Sequence, residues 1–313
     1  MRISINEKAI DFSLENEKTL GDVIDGIHAW LENSGYQIFS IEYDGITIVP
    51  SGEEDEKWKQ QPIDQMQDLD ITVLSATEQY GQDLHTLYQY ISLLQRALAS
   101  DNRELIKDLK NELPYIVNNI DRILGSQNEY GQVLEKLVEA SGIKEGEMKP
   151  AVQQLLNYLS NLLIILQSRI NEVTQPLTEL RSTAEGLKTL IPQLMDVSVY
   201  LQTGKDKQAM GSIIEFTEIS EKLIRLYRLL QNQGITDLSK TQVDGQNFTT
   251  FYSELNEIFH ELEDAFNSKD SVLIGDLLEY EVAPRTERLM EFIFTIENNL
   301  DNFRTESQNK SEG

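Results

Sequence analysis

The closest approach to metal-ligand spacing in this chain is Glu257-Ile-Phe-His260, an ExxH on a helical pattern with Glu254 and Glu261 beside it. A di-iron helical bundle needs two such motifs and a further Glu from each of two other helices. The chain has three histidines, and the other two, His28 and His85, carry Asp25 and Gln82 where the motif needs Glu. Leu255, Ile258 and Leu262 form the apolar stripe of the same helix, which turns His260 towards its polar flank. The expectation is therefore no metal and no cofactor.

A second carboxylate group, Asp276-Leu-Leu-Glu279-Tyr280-Glu281, has the residue types for general acid–base work. Glu279 and Glu281, two apart on a helix, point different ways. Asp276 and Glu279 share a face, with Arg285 as their one obvious basic neighbour. Such a row reads as a solvated helix face or a bundle ion pair. The acidic run Glu53 to Glu56 lacks the alternating oxygens and internal Gly of an EF-hand loop. There is no phosphate-binding Gly-rich loop, no GxSxG elbow and no HExxH. The absence of cysteine excludes disulfides, thiolate metal sites and a Cys nucleophile. The expectation is a protein that is not an enzyme.

The chain has 313 residues, 40% of them hydrophobic, and a formal charge of -26. Phosphate recognition needs clustered Lys and Arg, so this charge argues against nucleic acid and anionic membranes and permits a basic protein partner. The opening Met-Arg-Ile-Ser-Ile-Asn has no apolar signal core and reads as a strand. The most apolar run, Leu155 to Leu166, is interrupted by Asn157, Ser160 and Asn161 and falls short of the about twenty residues a membrane span needs. A cytoplasmic protein is expected.

The elements that carry these residues follow a pattern seen three times. Each time an apolar-periodic helix meets a short polar break ending in Asp, and a second such helix follows, around Asp101, Asp206 and Asp270. Counted from each Asp, the fourth residue is Leu105, Met210 or Ile274 and the eighth is Leu109, Ile214 or Leu278, which assigns these positions to packing. Helical patterns cover roughly 78–99, 101–124, 127–141, 147–173, 175–203, 205–232, 246–267 and 270–302. Pro114 and Pro284 fall at nearly matching places in two of the repeats, where the helix either bends or ends and restarts. Residues 304–313 carry no apolar side chain beyond the last periodic stretch and read as a disordered tail.

Residues 1–76 differ. Ile3 and Ile5 alternate with polar neighbours, as do Ile10, Phe12 and Leu14 after a turn at Asn6-Glu7-Lys8. Thr19 and Asp22 have capping-box spacing ahead of the stripe Leu20, Val23, Ile24, Ile27 and Leu31. Asp44-Gly45 marks a hairpin, and Leu69, Ile71 and Val73 form a last strand after a crossover. This order of elements resembles the β-grasp, or ubiquitin-like, fold. That family's conjugating members end in Gly-Gly, whereas Leu74-Ser75-Ala76 runs straight into a helix, so the resemblance implies binding rather than conjugation. The outward residues Arg2, Ser4, Asp11, Ser13, Glu15, Glu42, Asp70 and Thr72 make the sheet face wet, which leaves the crossover with Trp58 as the partner-facing candidate of this domain. The alternative is that Trp58 plugs the edge of the core.

The segment YLQTGKDKQAMGSIIEFTEISEKLIRLYRLL also resembles helices of flagellin-export chaperones, small bundles that wrap an amphipathic client segment. The reading is an α+β protein: a β-grasp domain at 1–76, a mostly antiparallel helical body with three divergent hairpins at 77–303, and the tail. Its expected function is a non-catalytic adaptor or chaperone-like protein that holds a basic or amphipathic protein partner. Homo-oligomerisation stays open. The alternatives are a self-assembling structural protein and an enzyme with an unfamiliar carboxylate site. The candidate binding residues are Leu277, Leu278, Tyr280 and Arg285, beside a Pro-interrupted helix, together with Trp58.

Overall fold

Alternation at Ile3 and Ile5 builds the first strand of a mixed sheet in the computed structural model, which describes residues 1–10, 17–32, 34–50, 56–125, 130–143, 149–233 and 240–311. The strands are β1 (Arg2–Ile5), β2 (Lys8–Ala9), β3 (Tyr36–Tyr43), β4 (Ile46–Ile48) and β5 (Asp68–Ser75). Their spatial order is β2-β1-β5-β3-β4, with β1 and β5 parallel and the other neighbours antiparallel. Asn6, at φ 49°, extends the parallel pair through its side chain. The Val73 N–H donates to Asn6 Oδ1 at 2.9 Å, and Asn6 Nδ2 donates to the Val73 carbonyl at 3.1 Å. The side-chain amide thereby satisfies backbone groups where the chain leaves the ladder. Asp11, Phe12, Ser13, Leu14 and Glu15, expected in the second strand, lie outside the described residues, as do Glu53, Glu54 and Asp55 of the acidic run.

Helix α1 (Leu20–Leu31) opens on the expected capping box, in which Asp22 N–H donates to Thr19 Oγ1 and the Asp22 carboxylate accepts from Thr19 N–H. Its stripe of Leu20, Val23, Ile24, Ile27 and Leu31 is buried with Ile3, Ile41, Leu69, Ile71 and Val73. Asp44 and Gly45, both at positive φ, turn β3 into β4 as the sequence predicts.

The chain divides into two compact units, Met1–Ile170 and Asn171–Gly313. The first continues from the sheet into α2 (Ala76–Ala99), α3 (Arg103–Leu109), α4 (Leu113–Leu124), α5 (Tyr130–Ser141) and α6 (Val152–Thr174), the last of which runs across the boundary. No linker separates β5 from α2, because Ser75 ends the strand and caps the helix in a second capping box with Glu78. The second unit contains α7 (Pro176–Met195), α8 (Val197–Gln202), α9 (Asp206–Gln233), strands β6 (Gln242–Val243) and β7 (Gln246–Asn247), α10 (Phe248–Ser268), α11 (Ser271–Asp276), a turn of π-helix at Leu277–Val282, and α12 (Ala283–Ser311). The small β6–β7 hairpin is a departure from the helical body expected over residues 77–303. Its Asp244-Gly245 turn repeats the signal at Asp44-Gly45 within a long polar break.

One apolar core joins α7 to α12, with Phe216 edge-on to Phe259 at 5.3 Å and Tyr227 stacked on Tyr252 at 4.0 Å. Burial pushes the Tyr252 hydroxyl well above the usual phenol pKa. At the polar seam of this unit Arg225 forks onto the buried Glu172 at 3.1 and 3.2 Å, and Lys222 meets Glu179 at 2.6 Å. No described helix is long and apolar enough to cross a membrane.

Three helix–helix corners share one hydrogen-bonding scheme. Asn102, Lys205 and Asp270 each donate a backbone N–H to the carbonyl five residues back, at 2.9, 2.8 and 3.0 Å. The residue before each, Asp101, Gly204 or Lys269, is left-handed, and the hydroxyl before that, Ser100, Thr203 or Ser268, donates to the carbonyl four residues earlier. This is a Schellman closure whose last residue starts the next helix. The geometry moves the register expected from the three Asp residues by one residue in two corners. The buried fourth positions are Ile106, Ala209 and Ile274, and Met210 and Ile214 are instead about half exposed, at 50% and 53%. Asp misleads here because it suits three adjacent places. It tolerates the left-handed site (Asp101), caps a helix (Asp270) and favours the first helical turn (Asp206).

The two prolines also part company. In the first unit the helix ends at Leu109 and restarts with Pro114 in the first turn of α4. In the second, the π turn carries the helix through to Pro284 without a break.

Candidate interaction surface

Proline at position 284 removes a backbone donor and would strike the carbonyl of Tyr280 in a regular α-helix. The wider π turn accommodates the ring by closing five residues back, with Ala283 N–H donating to the Leu278 carbonyl. Within this turn Leu277, Leu278 and Val282 are buried in the core. The two leucines, expected on the binding surface, anchor the turn from inside and do not reach solvent. Tyr280 points outward and is 64% exposed. The Glu279 carboxylate, hydrogen-bonded to the Tyr280 hydroxyl, holds that phenol above its usual pKa. Arg285 is half-buried and engaged locally: Nη1 donates to the Glu281 carbonyl at 3.3 Å and also meets the Glu281 carboxylate. The guanidinium is thus held by Glu281, four residues earlier on the same helix and next to Tyr280.

Trp58 belongs to the other unit. Its ring is half-buried against the sheet core, with the Lys59 ammonium 5.8 Å from the ring centroid. That placement is the core-edge alternative. The outward face of the same sheet forms a shallow depression lined by Arg2, Ser4, Glu42, Asp44, Asp68 and Asp70. Arg2 pairs with Asp68 there at 3.1 Å.

The carboxylates that could do chemistry are dispersed. Glu257 and His260 lie on the exposed side of α10, and His260 Nδ1 is 3.7 Å from Glu263. Leu255, Phe259 and Leu262 form the buried stripe, with Ile258 half-buried at its margin. Among the described residues no three His, Asp or Glu side chains gather in a way that could hold a metal ion. Glu279 serves Tyr280, Glu281 serves Arg285, and Asp276 is exposed.

Other exposed apolar residues escaped the sequence reading. Val199 on α8, Met210 and Ile214 on α9, and Val272 and Leu273 on α11 all face water. Alignment on the serine and threonine that close the three corners would have found two of them, since it moves Met210 and Ile214 off the core face.

Residues 1–75 match the TP0873 N-terminal domain, and residues 178–292 match a domain of unknown function, DUF8042. The first match ends at Ser75, the residue that caps α2. The second runs from α7 through the π turn into α12. The chain is also similar to an uncharacterized protein of Treponema pallidum (strain Nichols), 24% identical over 191 residues, which covers 56% of this chain and 92% of that protein. No solved structure matches.

Proposed function

We propose that this chain is a non-catalytic, cytoplasmic adaptor or chaperone-like protein. In this reading a β-grasp domain is followed by a helical body that holds a protein partner. Support for the β-grasp assignment comes from the order β2-β1-β5-β3-β4, the parallel pairing of β1 with β5, and a helix between the two hairpins. Support for protein binding comes from one observation above all. The π turn drives three apolar side chains into the core and sets Tyr280, the residue type favoured at interface hot spots, out into solvent. A π turn interrupts regular helical bonding and is found disproportionately at functional sites.

The test is a pull-down from native lysate with wild type, Tyr280→Ala and Arg285→Ala. Tyr280→Ala changes an exposed side chain and should stay within about 0.5 kcal/mol of wild type while losing one partner. Arg285→Ala should lose the same partner with a lowered melting temperature, because it also removes the guanidinium's contacts with Glu281. If both variants retain every partner, the π turn is structural and the reading fails.

A further inference from the structure

The three corners provide an internal control for what the surface should look like. Counting from the closing hydroxyl, Val199 takes the place of the exposed Arg96 and Asp264. Met210 takes that of Lys107 and Gly275, and Ile214 that of Asn111 and Glu279. Val272 stands where the other corners have Glu104 and Lys207. Four positions that are otherwise filled almost entirely by polar or charged residues are thus apolar at one end of the second unit. Leu273 is exposed beside them, and α8 packs against both α9 and α11, so these side chains sit on adjoining elements. The protein itself leaves the surface open, since a Cβ built on Gly211 or Gly275 would meet nothing within 4 Å. Exposed apolar side chains gathered on adjoining elements mark interaction sites.

Charge indicates the occupant. Along one face of α9, residues four apart are Asp206, Met210, Ile214 and Glu218, all exposed, so an apolar pair lies between two carboxylates. Glu215 is exposed next to Ile214. Among the described residues neither Asp206, Glu215 nor Glu218 has an ion-pair partner. A second copy of the chain would carry the same formal charge of -26, which disfavours self-association. We infer that the surface of Val199, Met210, Ile214, Val272 and Leu273 binds a cationic amphipathic helix of another protein. Its apolar stripe would cover these side chains, and its Lys or Arg residues would meet Asp206, Glu215 and Glu218. This inference rests on the protein-binding reading and names the chemistry of the partner.

The probe is a fluorescein-labelled Leu/Lys peptide of about 18 residues, long enough for five helical turns, with leucines on one face. It is titrated into the full chain at about 0.15 M salt, where long-range attraction is screened. A scrambled peptide of the same composition keeps the charge and loses the stripe. The expected result is saturable binding of the amphipathic peptide, weakened at least about tenfold by scrambling or by Met210→Glu/Ile214→Glu. That double variant should melt with wild type, since both side chains are exposed. Equal binding of the scrambled peptide, or binding unchanged in the double variant, overturns the proposal. So does a wild-type dimer that the double variant abolishes, because the occupant is then a second chain. If the peptide result is negative while Tyr280→Ala still loses a lysate partner, the cationic-helix assignment falls and the protein-binding reading stands.

Discussion

A carboxylate as buried as Glu172, 2% exposed, is tolerated only with a partner, and Arg225 supplies two hydrogen bonds from the facing helix. Removing the guanidinium takes two hydrogen bonds from a buried charge, so Arg225→Ala should destabilise the second unit by about 3 kcal/mol, read as a lower urea midpoint. Arg225→Met combined with Glu172→Leu should recover most of that loss, because replacing a buried ion pair with packed apolar side chains is close to neutral. A double variant as unstable as the single one would show that the pair contributes net stability. Neither residue stood out in the sequence, where Glu172 is one of 53 acidic side chains on a helical pattern. Tyr280 was legible as an unusual exposed aromatic. The inward aim of Leu278 was legible from its place eight residues after Asp270, whereas that of Leu277 carried no such mark in the spacing.

At the scale of elements, the helix starts were written locally. Thr19 with Asp22, and Ser75 with Glu78, form complete capping boxes, the second carried by its S-x-x-E spacing. Hydrogen bonds from Lys18 and Thr19 N–H lower the Asp22 pKa, and those from Ser75 lower that of Glu78. A depressed folded-state pKa contributes stability above the unfolded value, about 4 for a carboxyl group, that is lost as pH falls through the folded one. Glu78→Gln keeps the capping geometry without the charge. The difference in urea midpoint between wild type and Glu78→Gln should therefore be largest near neutrality and shrink below about pH 4. A difference constant from neutrality to acid would show that the charge on Glu78 is irrelevant. Pro114 and Pro284 show where local information ends. The same residue type permits a restarted helix in one place and a π turn in the other, and the packing of Leu277, Leu278 and Val282 accompanies the second outcome.

For the whole molecule, the sheet core is closed among residues 3 to 73, although those residues share a compact unit with α2 to α6. A fragment of residues 1–76 should therefore fold, with dispersed amide resonances and mixed α/β circular dichroism. A disordered fragment would mean that α2, which packs against β3 and β5, completes the domain. What could be read without tertiary structure was whatever short-range chemistry controls. That includes the alternation of β1, the stripe of α1, the Asp44-Gly45 turn, the start of the helical region at Ser75 and the existence of three helical corners. Tertiary structure decided the register of those corners, the exposure of Met210 and Ile214, the pairing of Arg225 with Glu172 and the π turn beneath Tyr280. The physical reason is that Asp suits three successive backbone positions at a corner, and an apolar residue at helical spacing marks a core face only if another element arrives to cover it.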